Sequence, residues 1–125
     1  MNIDKHIAHW RNGAEEDWIV ACDLIERGKI RHGLFLAHLA VEKTIKAHVC
    51  RVTGGLAPMI HNLVRLAEVA CLGVTDEQRD LMAEVNEFNI EGRYPEILMP
   101  LPSPEEAAQY RARIEELLKC LNSLF

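Results

Sequence analysis

From Asp4 onward, Ile7, Trp10, Ala14, Trp18, Ala21 and Ile25 recur at steps of three and four, while His9, Asn12, Glu15, Glu16, Asp23 and Glu26 fall largely elsewhere. A helix of 3.6 residues per turn stacks such positions on one face, so this is an amphipathic helix. Gly28 stands where a left-handed C-terminal cap is favoured, and a second periodic run begins at Ile30. So short a link makes the two helices antiparallel neighbours. The second helix is predicted from Ile30 to Val52, through Leu34, Ala37, Val41, Ile45 and Val52, with Leu36, Ala40 and Ala47 widening its apolar face. Gly54, Gly55 and Pro58 break it. A shorter helix from about Asn62 to Leu72 carries Leu63, Leu66, Ala67 and Ala70 and is closed by Gly73.

Thr75-Asp-Glu-Gln78 reads as a capping box opening a fourth helix with Leu81, Val85 and Phe88 on its buried stripe. Between Asn89 and Ser103 the period lapses, and Pro95, Pro100 and Pro102 forbid regular helix around the apolar Ile97, Leu98, Met99 and Leu101. An ordered, partly buried loop is expected there. Ser103-Pro-Glu-Glu106 places an N-cap, a proline at the first helical position and an acid at the third, so the last helix starts there. Its core face is Tyr110, Ile114, Leu117, Leu121 and Leu124. With no period-two strand and no internal repeat, the fold class is all-α, an antiparallel helical bundle whose two long N-terminal helices form a hairpin.

A chain of 125 residues, 49% hydrophobic, supports one core, so 1–125 is expected to be a single domain. A net charge of -5 gives no overall positive field to gather DNA or anionic lipid, so neither is an expected partner and any nucleic acid must meet a local basic patch. No apolar run is long enough for a bilayer, and the polar, aromatic stretch from Met1 to Arg11 is unlike a signal peptide. A cytoplasmic protein is expected. Cys22, Cys50, Cys71 and Cys120 form no C-x-x-C pair and sit on or beside apolar stripes, which predicts reduced, buried thiols. Neither metal nor cofactor is called for.

Candidate chemistry concentrates on the second helix. Arg31 and His38, seven residues apart, differ by only about 20° around a helix axis. Glu42 and Lys46 continue the same file at steps of four. Arg27, Lys29, Arg31 and His32 gather positive charge at one end of it, a local site where a phosphate would be welcome. Two readings stand side by side. Glu42 and Lys46 can be a solvated ion pair of the ordinary helical kind. Alternatively, an imidazole that moves a ribose or leaving-group proton and a guanidinium that steadies a charged phosphorus centre would make Arg31 and His38 a metal-independent catalytic pair.

The segment from Arg31 through His38, Glu42-Lys-Thr-Ile-Lys46 and Ala47 resembles the second helix of the HEPN family, an aromatic and small-residue run leading into Glu-Lys-x-x-Lys-Ala. His61-Asn-Leu63 is similar to that family's His-Asp-Leu, and Arg93-Tyr-Pro95 to its Arg-Tyr-Pro after the fourth helix. These matches, in the same order, cover nearly the whole chain. The resemblance implies a five-helix up-and-down bundle, a homodimer, and a role beside a small nucleotidyltransferase, in some cases as a toxin-antitoxin pair. It also implies binding of nucleotide or RNA phosphate, here through Arg31, Lys46, Arg93 and Tyr94.

Ribonuclease relatives use an Arg, four to six intervening residues, then a His, a spacing that Arg31 and His38 satisfy. Toxin-type members instead carry Arg-Asn-x-x-x-His-x-Tyr after the fourth helix, whereas here Arg93 is followed by Tyr94 and Pro95 with no histidine downstream. The leading expectation is therefore a binding module, non-catalytic or weakly so. The alternatives are an endoribonuclease using Arg31 and His38, and a purely structural dimerisation subunit. Trp10 and Trp18 are expected in the core or a dimer contact rather than as base-stacking platforms. His6 and His9 with Asp4 make a poor metal site on a helix terminus, and His61 is expected to help begin the third helix. No phosphate-binding G-x-x-x-x-G-K-S/T loop is present, so P-loop nucleotide hydrolysis is excluded.

Overall fold

The computed structural model describes residues 2–93 and 100–125. In chain order the elements are α1 (Ile3–Glu26), α2 (Ile30–Thr53), α3 (Leu63–Val69), α4 (Asp76–Arg93) and α5 (Pro104–Ser123). The bundle is all-helical, as the periodicity predicts, and each start has a local cause. Asn2 caps α1 by accepting from the Lys5 amide at 3.3 Å. The α4 box closes with Gln78 N–H donating to Thr75 Oγ1 at 3.1 Å and Thr75 N–H to Gln78 Oε1 at 2.9 Å. Ser103 and Glu106 form the matching box at α5. Gly28, at φ 78°, supplies the left-handed residue that turns the chain from α1 into α2.

Three local expectations are corrected. First, α3 ends at Val69, and the left-handed residue behind it is Cys71, at φ 56°, rather than Gly73. Leu72 N–H reaches back to the Ala67 carbonyl at 3.0 Å, which closes this cap before Gly73 is reached. Second, α4 continues through Asn89 to Arg93, because no proline interrupts the chain before residue 95. Residues 94–99, which hold most of the expected apolar loop, lie outside the described residues, and Leu101 beyond them is exposed. Third, Cys50 is buried and Cys22 half-buried, but Cys71, which lies beyond the end of α3, and Cys120 on α5 are exposed.

The core is organised around α2, which packs against all four other helices. Leu34, Val41 and Ile45 on α2 meet Leu66, Met82 and Ile114 from α3, α4 and α5. At the α1–α2 crossing Gly33 has no room for a side chain: a Cβ there would lie 2.7 Å from Ile25 Cγ1 and 3.2 Å from the Ala21 carbonyl oxygen. Being central, α2 has little solvent-facing side left, and this decides the fate of its polar residues.

Candidate functional site: a buried polar file on the second helix

The file expected along α2 forms, but inside the protein. His38 is 0%, Glu42 4% and Lys46 6% exposed. Glu42 and Lys46 do pair, with Nζ 3.0 Å from Oε2, yet the pair is buried rather than solvated because α1 covers it. Trp10 of α1 lies against Lys46, its ring centroid 5.3 Å from Nζ, a cation–π contact whose worth rises when water is excluded. Trp10 is thus a partner of the file. Trp18 packs on the core and borders a separate groove.

The residue that completes the file is His61, in the chain leading to α3. Its Nδ1–H donates to both carboxylate oxygens of Glu42, at 3.1 and 3.2 Å. Its backbone carbonyl accepts from Nε2–H of His38 at 3.0 Å, and Nδ1 of His38 lies 3.8 Å from Glu42 Oε1. Thus α2 grips His61 at two points, ring and main chain. The next two residues are fixed as firmly. Asn62 Oδ1 caps α3 by accepting from the Arg65 amide at 3.2 Å, and the Leu63 amide donates to Asn86 Oδ1 of α4 at 2.8 Å. Asn62 therefore starts α3, while His61 turns its side chain the other way, onto Glu42. Its ring remains 47% exposed. With Nδ1 donating to a carboxylate, the neutral ring leaves the Nε2 lone pair available.

Burying a carboxylate costs several kcal/mol unless partners replace its water. Glu42 gets those partners from Lys46 and His61. Arg31 stands apart from this cluster, half-buried in the first turn of α2. That turn contains no acidic residue, and the N-cap Lys29 makes no side-chain capping bond. Unsatisfied amides and Lys29, Arg31 and His32 therefore share one end of α2, while Arg27 is paired with Asp23 at 3.2 Å. Arg93 ends α4, and its side chain and Tyr94 lie outside the described residues. Among the described residues no three His, Cys, Asp or Glu side chains gather as a metal site.

A second buried histidine, which the sequence reading did not single out, lies further along α2. His48 donates from Nε2 to the Leu121 carbonyl of α5 at 2.8 Å and accepts at Nδ1 from Arg51 at 3.4 Å. Its ring stacks on Phe125 at 3.8 Å between centroids, and Arg11 lies over the Phe125 ring at 4.1 Å. Burial, together with the charges of Arg51 and Arg11, holds this imidazole below its usual 6.5 despite the opposing bond to Leu121. Beside it, α1 and α5 border a groove of about 800 Å³ lined by Arg11, Trp18, Thr44 and Lys119 among others.

A family model for the HEPN domain matches residues 7–124. The chain belongs to the HEPN family. Among solved structures, the crystal structure of TT1696 from Thermus thermophilus superposes with a TM-score of 0.80 over 95% of this chain and 98% of that one. At 17% identity this likeness shows a shared fold and nothing finer. No curated protein matches the sequence. Family membership makes sense of the His61-Asn-Leu63 resemblance: in this HEPN chain the histidine belongs to the α2 file, and Asn62 does the capping that an aspartate can do at the same place.

Proposed function

We propose that this HEPN domain binds nucleotide or RNA phosphate at the α2 N-terminus and acts, as a homodimer, together with a nucleotidyltransferase partner, in the manner of a toxin-antitoxin pair. The observation that carries the binding half is the positive end of α2, where free amides, Lys29, Arg31 and His32 face no acid of their own turn. Helix N-termini of this kind attract anions through amide donors and the helix dipole, and a guanidinium adds a planar, two-pronged phosphate contact. Arg31 is the principal contact in this reading. Lys46, whose charge is met by Glu42, contributes by holding that carboxylate in place. Arg93 and Tyr94 join the reading through the family resemblance alone. The partner half rests on the family.

Fluorescence anisotropy with a labelled single-stranded RNA tests the binding half. Binding should weaken as salt rises, and Arg31→Ala should weaken it further. Salt-independent binding, or binding untouched by Arg31→Ala, contradicts it. Co-purification with a co-expressed nucleotidyltransferase tests the partner half separately.

A further inference from the structure

The groove between α1 and α5 lies apart from the α2 file. The two helices run antiparallel, joined at one end where Arg11 lies over the Phe125 ring at 4.1 Å and at the other by Arg111 and Glu26 at 3.6 Å. Between those ties they stand apart and leave a space of about 800 Å³, the size of a small-ligand site. Its floor is closed and mostly apolar. Ala14, Thr44 and Leu118 are buried there, the Thr44 hydroxyl donates to the Ala40 carbonyl at 2.9 Å, and Trp18 stands half-buried beside them. The walls are polar and exposed. Arg11 and Glu15, one turn apart on α1, have a spacing at which opposite charges can pair, yet the guanidinium lies on Phe125 instead. On α5, Lys119 meets Glu116 of its own helix at 3.6 Å rather than a group across the groove. The side chains of Asn12, Glu15 and Asn122 make no hydrogen bond or ion pair among the described residues. Donors and acceptors therefore follow one another along the rim without meeting.

We propose that this groove binds the carboxyl-terminal end of a short apolar peptide in extended form. An extended chain carries an amide N–H and a carbonyl on every residue, and both need partners where water is displaced. Glu15 and Glu115 can accept from N–H groups, Lys119 can donate to a carbonyl, and Asn12 and Asn122 can do either. The length agrees. From Ala8 to Trp18 the α1 wall spans about 15 Å, room for about four extended residues. The side chains that point down meet Ala14, Leu118 and Trp18, an uncharged surface that suits aliphatic groups. Direction follows from charge. Arg11 has no carboxylate partner among the described residues and stands at the end shared with Asn122 and Ser123, so its two-pronged guanidinium receives the terminal carboxylate. Glu115, at the end nearer the Arg111 tie, repels a carboxylate and marks where the peptide enters. None of these residues belongs to the α2 N-terminus, so the inference stands apart from the phosphate-binding reading.

The test is fluorescence anisotropy of the full chain with the peptide Gly-Ser-Leu-Ala-Leu, labelled at its amino end and made both as the free acid and as the carboxamide. Wild type should bind the acid about 10-fold more tightly than the amide. Arg11→Ala should weaken the acid about 10-fold and leave the amide where it was, so that the preference disappears. Asn12→Trp, a substitution on the exposed wall that fills the groove, should abolish binding of both peptides. Arg31→Ala should change neither, and RNA binding should be unchanged in Arg11→Ala and Asn12→Trp. Thermal melts confirm that each variant is folded, and the comparison of acid with amide on wild type needs no variant at all. No binding of the acid up to about 1 mM, equal binding of acid and amide, or a preference that survives Arg11→Ala overturns the assignment. Asn12→Trp that changes the number of subunits in sedimentation, with peptide affinity intact, also overturns it and gives the groove to a second copy of the chain.

Discussion

His38 and His48 sit ten residues apart on the same helix, both at 0% exposure, and each donates Nε2–H to a backbone carbonyl of another segment. Their surroundings differ. The ring of His48 is closed on every side that matters: Leu121 takes one nitrogen, Arg51 supplies the other, and Phe125 covers a face. Nothing on it is left to meet a ligand, and its work is to staple α5 to α2. His38 instead holds a residue whose own ring is half outside, and its neighbour Glu42 holds that ring directly. Two histidines of equal burial thus serve different ends, one joining two helices and the other aiming a surface group. The lesson is that burial of a polar residue has to be followed to the last atom in its chain of bonds before a role is assigned.

The largest effect should come from Glu42→Ala, which leaves the Lys46 ammonium in a buried site without its counter-charge. Loss of one partner of a buried pair costs about 3–5 kcal/mol, to be read from urea or thermal unfolding. A loss below about 1 kcal/mol would mean that the cluster is open to water and that the contrast between exposed and buried halves is wrong. Next, His48→Ala removes a buried hydrogen bond and an aromatic stack and should cost about 2–3 kcal/mol, with no effect on RNA binding. An effect on RNA binding would give the stapling end a functional role that the comparison denies it.

The pH dependence separates the two ends again. Burial depresses the His48 pKa below 6.5 in the folded protein. Above 6.5 the ring is neutral in both folded and unfolded chains, so no stability is lost through it. As pH falls below 6.5 the unfolded chain takes up a proton that the folded one resists, and stability declines toward the folded-state value. Unfolding midpoints at pH 7.5 and 5.5 should show this decline, and it should shrink in His48→Gln. The smallest stability effect belongs to His61→Ala, about 0.5–1 kcal/mol, because a half-exposed ring loses one hydrogen bond and Glu42 keeps Lys46. A cost near that of Glu42→Ala would make His61 a structural residue like His48.

The fold was legible because helices declare themselves through local signals. Trp10, Ala14, Trp18 and Ala21 give the period of α1, and Thr75 with Gln78 and Ser103 with Glu106 give the starts of α4 and α5. Cys71 was missed as the α3 terminator because a left-handed cysteine has no sequence signal of the kind a glycine gives. The file on α2 was legible as a file, since i,i+4 spacing is local, but its burial was not. Whether a polar stripe faces water depends on what α1 lays over it, and the Trp10 contact with Lys46 joins residues far apart in sequence. For the same reason the Glu42–His61 bond, nineteen residues long in sequence, was beyond any periodic argument. The His61-Asn-Leu63 resemblance was the one clue to it, and capping explained that clue too readily.

The claim that α2 aims His61 is tested most directly by the protonation pattern of its ring, read from nitrogen-15 NMR of the labelled protein. The account predicts that the neutral imidazole carries its proton on Nδ1, bonded to Glu42, with Nε2 bare, and that Glu42→Gln releases this preference. A ring protonated on Nε2, or averaging between the two forms in the wild type, would contradict it.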